Sequence, residues 1–245
     1  MQKSSQSRRV VLKISGEMLG GPKVGKTFDP DRVTHIVDEI ELALKTHPGL
    51  EIAITLGGGN IARGSALKKG FPGFDATTAD HIGMLGTLSN ALVLEDQFEK
   101  RGFEVRLVSA FAVPQVSEPY TYKKVRHHLE NKRIVLFAGG LGLSGFTTDT
   151  SAILRAADVN AVAVFKGTKV NGVYDSDPEK NPDAKFLAHL TYKEFSDRGL
   201  DGILDKHAVI SASEKNIPIY VFNAFEKGNF SKILGGEDIG SVISG

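Results

Sequence analysis

No cysteine occurs among the 245 residues, so disulfides, thiolate metal sites and thiol catalysis are all excluded. A chain that uses no disulfides suits a reducing compartment, and a cytoplasmic location is the expectation. Net charge is nearly lacking as well. The 30 Lys and Arg against 29 Asp and Glu leave +1, which argues against non-specific attachment to nucleic acid or to a membrane surface. Long apolar runs are also missing: Val10-Val11-Leu12, near the amino terminus, falls far short of a signal-peptide core or a membrane span. No Pro- or Ser-rich linker, internal repeat or low-complexity tract divides the chain. The polar, basic residues 1–8 read as a disordered tail and residues 9–245 as one domain. With 41% hydrophobic and 24% charged residues, that length can bury a full α/β core, as one large domain or as two lobes sharing a sheet.

Short β-branched runs recur at 10–14, 52–56, 105–109, 134–137, 161–165 and 219–222, and they look like core strands. Helical patterns fill the intervals, at 30–46, 80–100 closed by Gly102, 121–130, 148–157 and 205–215. This alternation predicts an α/β fold with a mainly parallel sheet covered by helices on both faces. Ligands in such folds lie beyond the carboxyl ends of the strands, so the loops leaving those ends are where chemistry is expected.

Four of these loops stand out. In Lys13-Ile14-Ser15-Gly16-Glu17 a strand ends on a lysine followed by small residues. That lysine can reach a β- or γ-phosphate as a point charge while the Ser15 and Gly16 amides approach closely; a surface lysine beside an ordinary turn is the plainer account. The run Gly57-Gly58-Gly59-Asn60, with Arg63-Gly64 after it, directly follows a strand. Successive glycines cost backbone entropy, so a folded protein keeps them where the backbone must curl or a ligand must come close. If a helix starts near Asn60, its free amides and about half a positive charge face an anion such as phosphate, and Arg63 adds a bidentate contact. A glycine-rich hinge is the alternative. In Phe146-Thr147-Thr148-Asp149-Thr150, either Thr148 or Asp149 caps the next helix, or Asp149 stands at the strand ends to orient lysines or hold Mg2+. Spacing does not choose between these. In the fourth loop, Asn171-Gly172 between Val170 and Val173 predicts a type I′ hairpin leaving the sheet. Around it Lys166 is placed to meet phosphates, Tyr174 to lie against a purine, and Asp177 to take a ribose or, through water, a metal.

Gly20-Gly21-Pro22-Lys23-Val24-Gly25-Lys26-Thr27 satisfies the P-loop pattern G-x-x-x-x-G-K-[ST]. A P-loop needs a strand running straight into the glycines and a helix starting at the lysine. Here six residues separate Ile14 from Gly21, and Asp29-Pro30 places the next helix start at Pro30. The match reads as coincidence, and Lys23 and Lys26 would rather suit an anionic regulator.

The lysine strand, the triple-glycine loop, the Thr-Thr-Asp segment and Lys169-Val170-Asn171-Gly172-Val173-Tyr174 occur in the order found in the amino-acid kinase superfamily. Within it, Thr78-Ala79-Asp80-His81-Ile82-Gly83-Met84-Leu85-Gly86-Thr87 resembles the Asp-His-Met-Gly-Met-Leu helix of bacterial-type uridylate (UMP) kinases. The likeness runs from about Arg9 to Val242 and includes Ile217-Pro218-Ile219-Tyr220-Val221-Phe222-Asn223. It implies a carbamate-kinase-like three-layer α/β/α sandwich, the reaction UMP + ATP → UDP + ADP with Mg2+, a role in pyrimidine nucleotide biosynthesis, and self-association as a homohexamer.

Carried over residue by residue, the resemblance implies ATP contacts from Lys13, Ile14, Ser15, Gly16, Gly59 and Arg63, with Thr168, Tyr174 and Asp177 on the adenosine side, about residues 160–245. UMP would be held by Gly57, Gly58 and Asp80, the last through ribose hydroxyls, and by Gly140, Leu141, Gly142, Leu143, Ser144, Gly145, Phe146, Thr147 and Thr148. The catalytic set would be Lys13, Arg63, Asp149 and Lys166, with Asp149 organising the lysines and no direct protein ligand to the metal, which rides on the ATP phosphates. The sequence departs from the family pattern where the loop before Thr-Thr-Asp commonly reads Gly-Thr-Gly-Asn-Pro-Phe-Phe. Here it is Gly139-Gly140-Leu141-Gly142-Leu143-Ser144-Gly145-Phe146, longer by one and without the asparagine. Asn171 also stands where an aspartate is usual. Two alternatives stay open on the sequence: the same fold phosphorylating a carboxylate or carbamate, or a non-catalytic nucleotide-binding or storage protein.

Overall fold

The computed structural model describes residues 8–21, 27–200 and 202–245. Residues 1–7 of the expected tail, and residues 22–26 of the P-loop-like segment with Lys23 and Lys26, lie outside the described residues. The strands are β1 (Arg9–Ile14), β2 (Glu51–Leu56), β3 (Val105–Ser109), β4 (Glu118–Pro119), β5 (Ile134–Ala138), β6 (Ala163–Thr168), β7 (Val173–Tyr174), β8 (Phe186–Leu187), β9 (His189–Thr191), β10 (Ile219–Asn223) and β11 (Ser241–Ser244). Nine of them form one sheet in the order β4-β3-β5-β2-β1-β6-β10-β11-β9. Every neighbouring pair in that sheet is parallel except β10 with β11.

The central strands are apolar almost throughout because helices cover both faces. The helices are α1 (Pro30–Thr46), α2 (Gly64–Gly70), α3 (Ala76–Glu99), α4 (Tyr122–Glu130), α5 (Thr148–Asp158), α6 (Tyr192–Asp197), α7 (Lys206–Lys215) and α8 (Asn229–Leu234). On one face Val10, Leu12 and Ile54 of the strands pack with Ile36 of α1, Leu94 of α3 and Phe230 of α8. On the other Val11, Ala53 and Val164 pack with Leu129 of α4, Ile153 of α5 and Val209 of α7. The strand period of two separates these sets, giving the expected three-layer α/β/α sandwich with a mainly parallel sheet. Among the described residues no helix is long and apolar enough to cross a membrane.

Local chemistry sets most boundaries, and it also accounts for the differences from expectation. Helix α1 starts at Pro30 because Asp29 accepts the amides of Asp31 and Arg32 and proline fits the first turn. Helix α3 begins at Ala76, four residues before Asp80, since Asp75 takes the Thr78 amide at 2.8 Å. Thr147, rather than Thr148 or Asp149, caps α5, accepting the Asp149 amide at 3.0 Å. Arg8 belongs to the fold rather than to a tail, because its carbonyl accepts the Glu51 amide at 3.0 Å.

The hairpin centred on Asn171-Gly172 does not form. Neither residue takes the positive φ that a type I′ turn requires, and β7 pairs instead with β8, beyond the 175–185 loop. Gly172 is glycine for packing, since an added Cβ would meet Phe186 Cε2 at 2.8 Å and Ser241 Oγ at 2.5 Å.

Candidate active site

Strand pairing brings the two site lysines together. Lys13 on β1 and Lys166 on β6 are register partners, and each lies two residues on from a residue of the α5 face, Val11 and Val164. Both therefore point under the start of α5, where two like charges would repel without a partner. Asp149, in the first turn of α5, provides it. Its Oδ1 is 2.9 Å from Lys13 Nζ and its Oδ2 is 2.5 Å from Lys166 Nζ. All three side chains are buried, and Lys166 also donates to the Ile203 carbonyl. Burial pushes the Asp149 carboxyl up, but the two lysine charges outweigh it and hold the group down at about 2. Burial, and then the Lys13 charge, bring Lys166 down to about 8 against the pull of Asp149. With both carboxylate oxygens on lysines, Asp149 is arranged to orient cations rather than to coordinate one.

An activity that needs Lys166 charged should hold near neutrality and fall as pH rises through about 8, where Lys166 loses its proton. A steady-state pH profile that stays flat well past that point would contradict the arrangement.

The glycine run divides into two roles. None of Gly57, Gly58 and Gly59 takes a left-handed φ, so curling is not the reason for glycine. A Cβ on Gly57 would lie 2.9 Å from Gly16 N, and one on Gly16 would lie 2.8 Å from Gly59 N and 2.9 Å from Gly57 O. The loops after β1 and β2 thus pack backbone to backbone. A Cβ on Gly58 would overlap the Gly83 carbonyl of α3 and sit 3.0 Å from Thr87 N. Only Gly59 has room, its nearest neighbour being Arg63 Nε at 3.7 Å. No helix starts at Asn60; the chain turns on the Gly58 carbonyl, which accepts the Ile61 and Ala62 amides, and α2 begins four residues later. Asn60 instead exchanges side-chain hydrogen bonds with Asn90, whose amide also holds the Gly57 carbonyl at 2.6 Å.

Since backbone atoms cannot step aside, Gly58→Ala should destabilise the fold by about 1–3 kcal/mol. For a chain of this size that lowers the melting temperature by about 2–4 °C per kcal/mol. Gly59→Ala should leave it nearly unchanged, and thermal melting of the two variants checks the contrast.

A cleft of about 1210 Å3 opens beside this floor. Lys13, Ser15, Gly59 and Arg63 line it, as do Lys166, Thr168, Tyr174 and Asp177. Ile14 and Gly16 do not: Ile14 points into the core and Gly16 is closed in by backbone. Arg63 forms an ion pair with Glu17, which also lines the cleft. Thr168 Oγ1 donates to the Val170 carbonyl at 2.7 Å, and the Tyr174 ring sits 5.5 Å from that of Phe186. Asp177 is exposed and paired with Lys180 at 2.9 Å, the ammonium holding its carboxyl below the usual range.

Gly57, Gly58, Asp80 and residues 140–148 lie outside this cleft and group elsewhere. Gly140, Gly142 and Gly145 have φ of +56°, +73° and +87°, values that favour glycine. The loop is held at its base by α3, where Thr87 Oγ1 accepts the Gly139 amide at 2.7 Å. Farther along, Asp80 accepts from Ser144 and Gly145. Leu141 is half-buried and Leu143 exposed; the Phe146 ring meets His207 at 5.9 Å. Thr148 is the first residue of α5, and Thr147 donates to Asp205.

Asp205, with Asn90, is what sequence reasoning missed. It caps α7, accepts from Thr150 at 2.8 Å, and its charge supports protonated Lys166. The sequence signal at Asp205 was a helix start, and nothing in local spacing joins it to Thr147.

The chain matches the model of the Amino acid kinase family over residues 8–223. The chain belongs to that family. Among its relatives, the chloroplastic uridylate kinase PUMPKIN of Arabidopsis thaliana is 45% identical over 97% of this chain and 69% of its own length. The solved structure of UMP kinase from Bacillus anthracis is 36% identical with a TM-score of 0.91, covering 97% of this chain and 96% of that one. UMP kinase from Ureaplasma parvum is 30% identical with a TM-score of 0.88, covering 98% and 100%. In this fold Lys13 lies near the carboxyl end of β1, Lys166 within β6 and Asp149 in the first turn of α5.

Proposed function

We propose that this protein is a UMP kinase, a nucleoside monophosphate kinase that moves the γ-phosphoryl group of ATP to UMP and so supplies UDP for pyrimidine nucleotide biosynthesis. The observation that carries the reading is the buried Lys13–Asp149–Lys166 cluster at the edge of a cleft large enough for a nucleotide. The 45% identity to a uridylate kinase supports the choice of acceptor. ATP would lie in the cleft, with its phosphates over Gly59 and between the lysines and its adenosine toward Thr168, Tyr174 and Asp177. UMP would lie toward Gly57, Gly58, Asp80 and residues 140–148. The amino-terminal part of a single domain thereby serves the acceptor and residues from about 160 serve ATP.

Transfer in this arrangement needs no protein nucleophile. A phosphate oxygen of UMP attacks the γ-phosphorus, the bond to the ADP oxygen breaks, and the negative charge passes to ADP. Two polyanions must be held about 3 Å apart, and the task of the protein is to neutralise and align them. Lys13 and Lys166, fixed beforehand by Asp149, do so without reorganising water. Arg63 exchanges Glu17 for phosphate and adds a planar, two-pronged donor to the lysine point charges. Mg2+ would ride on the ATP phosphates and screen their charge, with both oxygens of Asp149 left to the two lysines.

Self-association, as a homohexamer, belongs to the same reading; Leu85 and Leu92, exposed apolar residues seven apart on α3, offer a face on which a second copy could pack, without bearing on the number of copies. A cytoplasmic location belongs to the same reading. Coupled measurement of ADP release with UMP, CMP, dTMP, carbamate and amino-acid acceptors tests the function. UMP should be the preferred acceptor, and activity on a carboxylate or carbamate with none on UMP would overturn the proposal.

A further inference from the structure

The acceptor side carries a contact that the proposed reaction does not use. Asp80 Oδ2 accepts the Ser144 hydroxyl at 2.7 Å and the Gly145 amide at 2.9 Å, while Oδ1 faces the Lys68 ammonium at 3.9 Å. Both donors belong to the 139–146 loop. Its base is held independently, by Thr87 at the Gly139 amide and by Arg155, which donates to the Gly140 carbonyl at 3.3 Å. The loop is thus fixed at one end by α3 and α5 and tied near the other to Asp80. A carboxylate oxygen has two lone pairs to offer, so Oδ2 is fully used. A ribose presents two neighbouring hydroxyl donors that meet a carboxylate best side by side, one on each oxygen, and with Oδ2 occupied that two-point seat is closed.

We propose that Ser144 is a positioning residue whose hydroxyl competes with the sugar hydroxyls of a ribonucleotide acceptor for Asp80, so that the 139–146 loop latches the acceptor subsite until the acceptor displaces it. The identity of the competitor rests on the UMP reading above. The bond joins a hydroxyl to an ionised carboxylate, one of the stronger hydrogen-bond types. The Ser144 and Gly145 donors keep the Asp80 carboxyl below its ordinary range, so the carboxylate is charged and the latch intact at neutral pH. When only a fraction of the protein is competent to bind, apparent affinity falls by that fraction. Weakening the latch enlarges the fraction. Ser144 is the position at which to do so, because its side chain is a removable donor, whereas Gly145 gives its backbone amide at a φ of +87° that a side chain would strain.

The test uses Ser144→Ala and Ser144→Thr in the full chain, with UMP varied at saturating Mg·ATP. Isothermal titration of UMP into each protein gives the Kd without altering the loop further. Ser144→Ala should lower the KM for UMP by about 3- to 10-fold while the KM for ATP stays in place, the retained Gly145 amide keeping the effect partial. Ser144→Thr keeps the hydroxyl and should stay near the wild-type KM. The Kd for UMP should fall in Ser144→Ala along with the KM, while the Kd for ATP stays in place. A wild type active on UMP whose Ser144→Ala variant has an unchanged or raised KM would overturn the latch alone, as would an unchanged Kd for UMP in that variant. A wild type inert toward UMP would overturn the UMP reading and remove the stated competitor.

Discussion

Asp149→Asn should lower turnover by about a hundred- to a thousandfold and move the alkaline limb of the pH profile to lower pH. Asparagine keeps the size of the side chain and one acceptor oxygen, but it turns an NH2 toward one of two lysines that now share no counter-charge. The wild-type carboxylate meets both ammonium groups, at 2.9 and 2.5 Å. Its charge is the largest influence raising the Lys166 pKa against burial and Lys13. Once that charge is gone, Lys166 gives up its proton at lower pH and the charged form needed beside the phosphates becomes scarce. Breaking a buried ion pair by removing one partner costs on the order of 3–5 kcal/mol, part of which deprotonation of Lys166 relieves, so a lower melting temperature accompanies the kinetic loss. Rate profiles over pH, together with thermal melting, check both halves. Wild-type turnover in this variant would mean that the lysines need no organiser.

Lys13→Ala should cost a similar factor in turnover, about a hundred- to a thousandfold, with the opposite pH signature. After burial, the Lys13 charge is the next cause of the lowered Lys166 pKa. Without it Lys166 faces Asp149 as a one-to-one pair, and the alkaline limb of the residual activity should move upward. Stability should change far less than turnover, because the substitution removes the surplus positive charge of the cluster rather than its only negative one. The two variants thus lose activity alike and part company in pH dependence. A purely structural role for either residue predicts no such divergence, and matching limbs in both variants would refute the arrangement.

The layered fold was legible because its signals are local. The β-branched runs mark strands that are buried on both faces, and Asp29-Pro30 announces the start of α1 to the residue. What could not be read depends on pairings distant in sequence. Nothing near Lys13 reveals that β6, about 150 residues on, lies beside it in register; the two lysines were named for separate reasons, and only the sheet makes them a pair. Thr147 and Thr150 meeting Asp205 across 55 and more residues is a juxtaposition of the same kind.

The glycines show the limit from another side. A run of three after a strand reads as a place where the backbone curls or a ligand comes close, or as a hinge, but packing against Gly16 and α3 accounts for Gly57 and Gly58, leaving Gly59 as the one that faces the cleft. Asn171-Gly172 carries the strongest short hairpin signal in the chain, yet Ser241 takes the Val173 amide at 2.8 Å and the excursion pairs farther on. Tertiary contacts outweighed turn propensity there.

The central claim is direct phosphoryl transfer from ATP to UMP, aligned by a buried lysine pair. Following the reaction of the wild-type protein with Mg·ATP and UMP by phosphorus NMR tests it most directly. The β-phosphate resonance of UDP should grow in step with ADP, with no inorganic phosphate ahead of it. ADP appearing with inorganic phosphate while UMP stays unchanged would contradict the account.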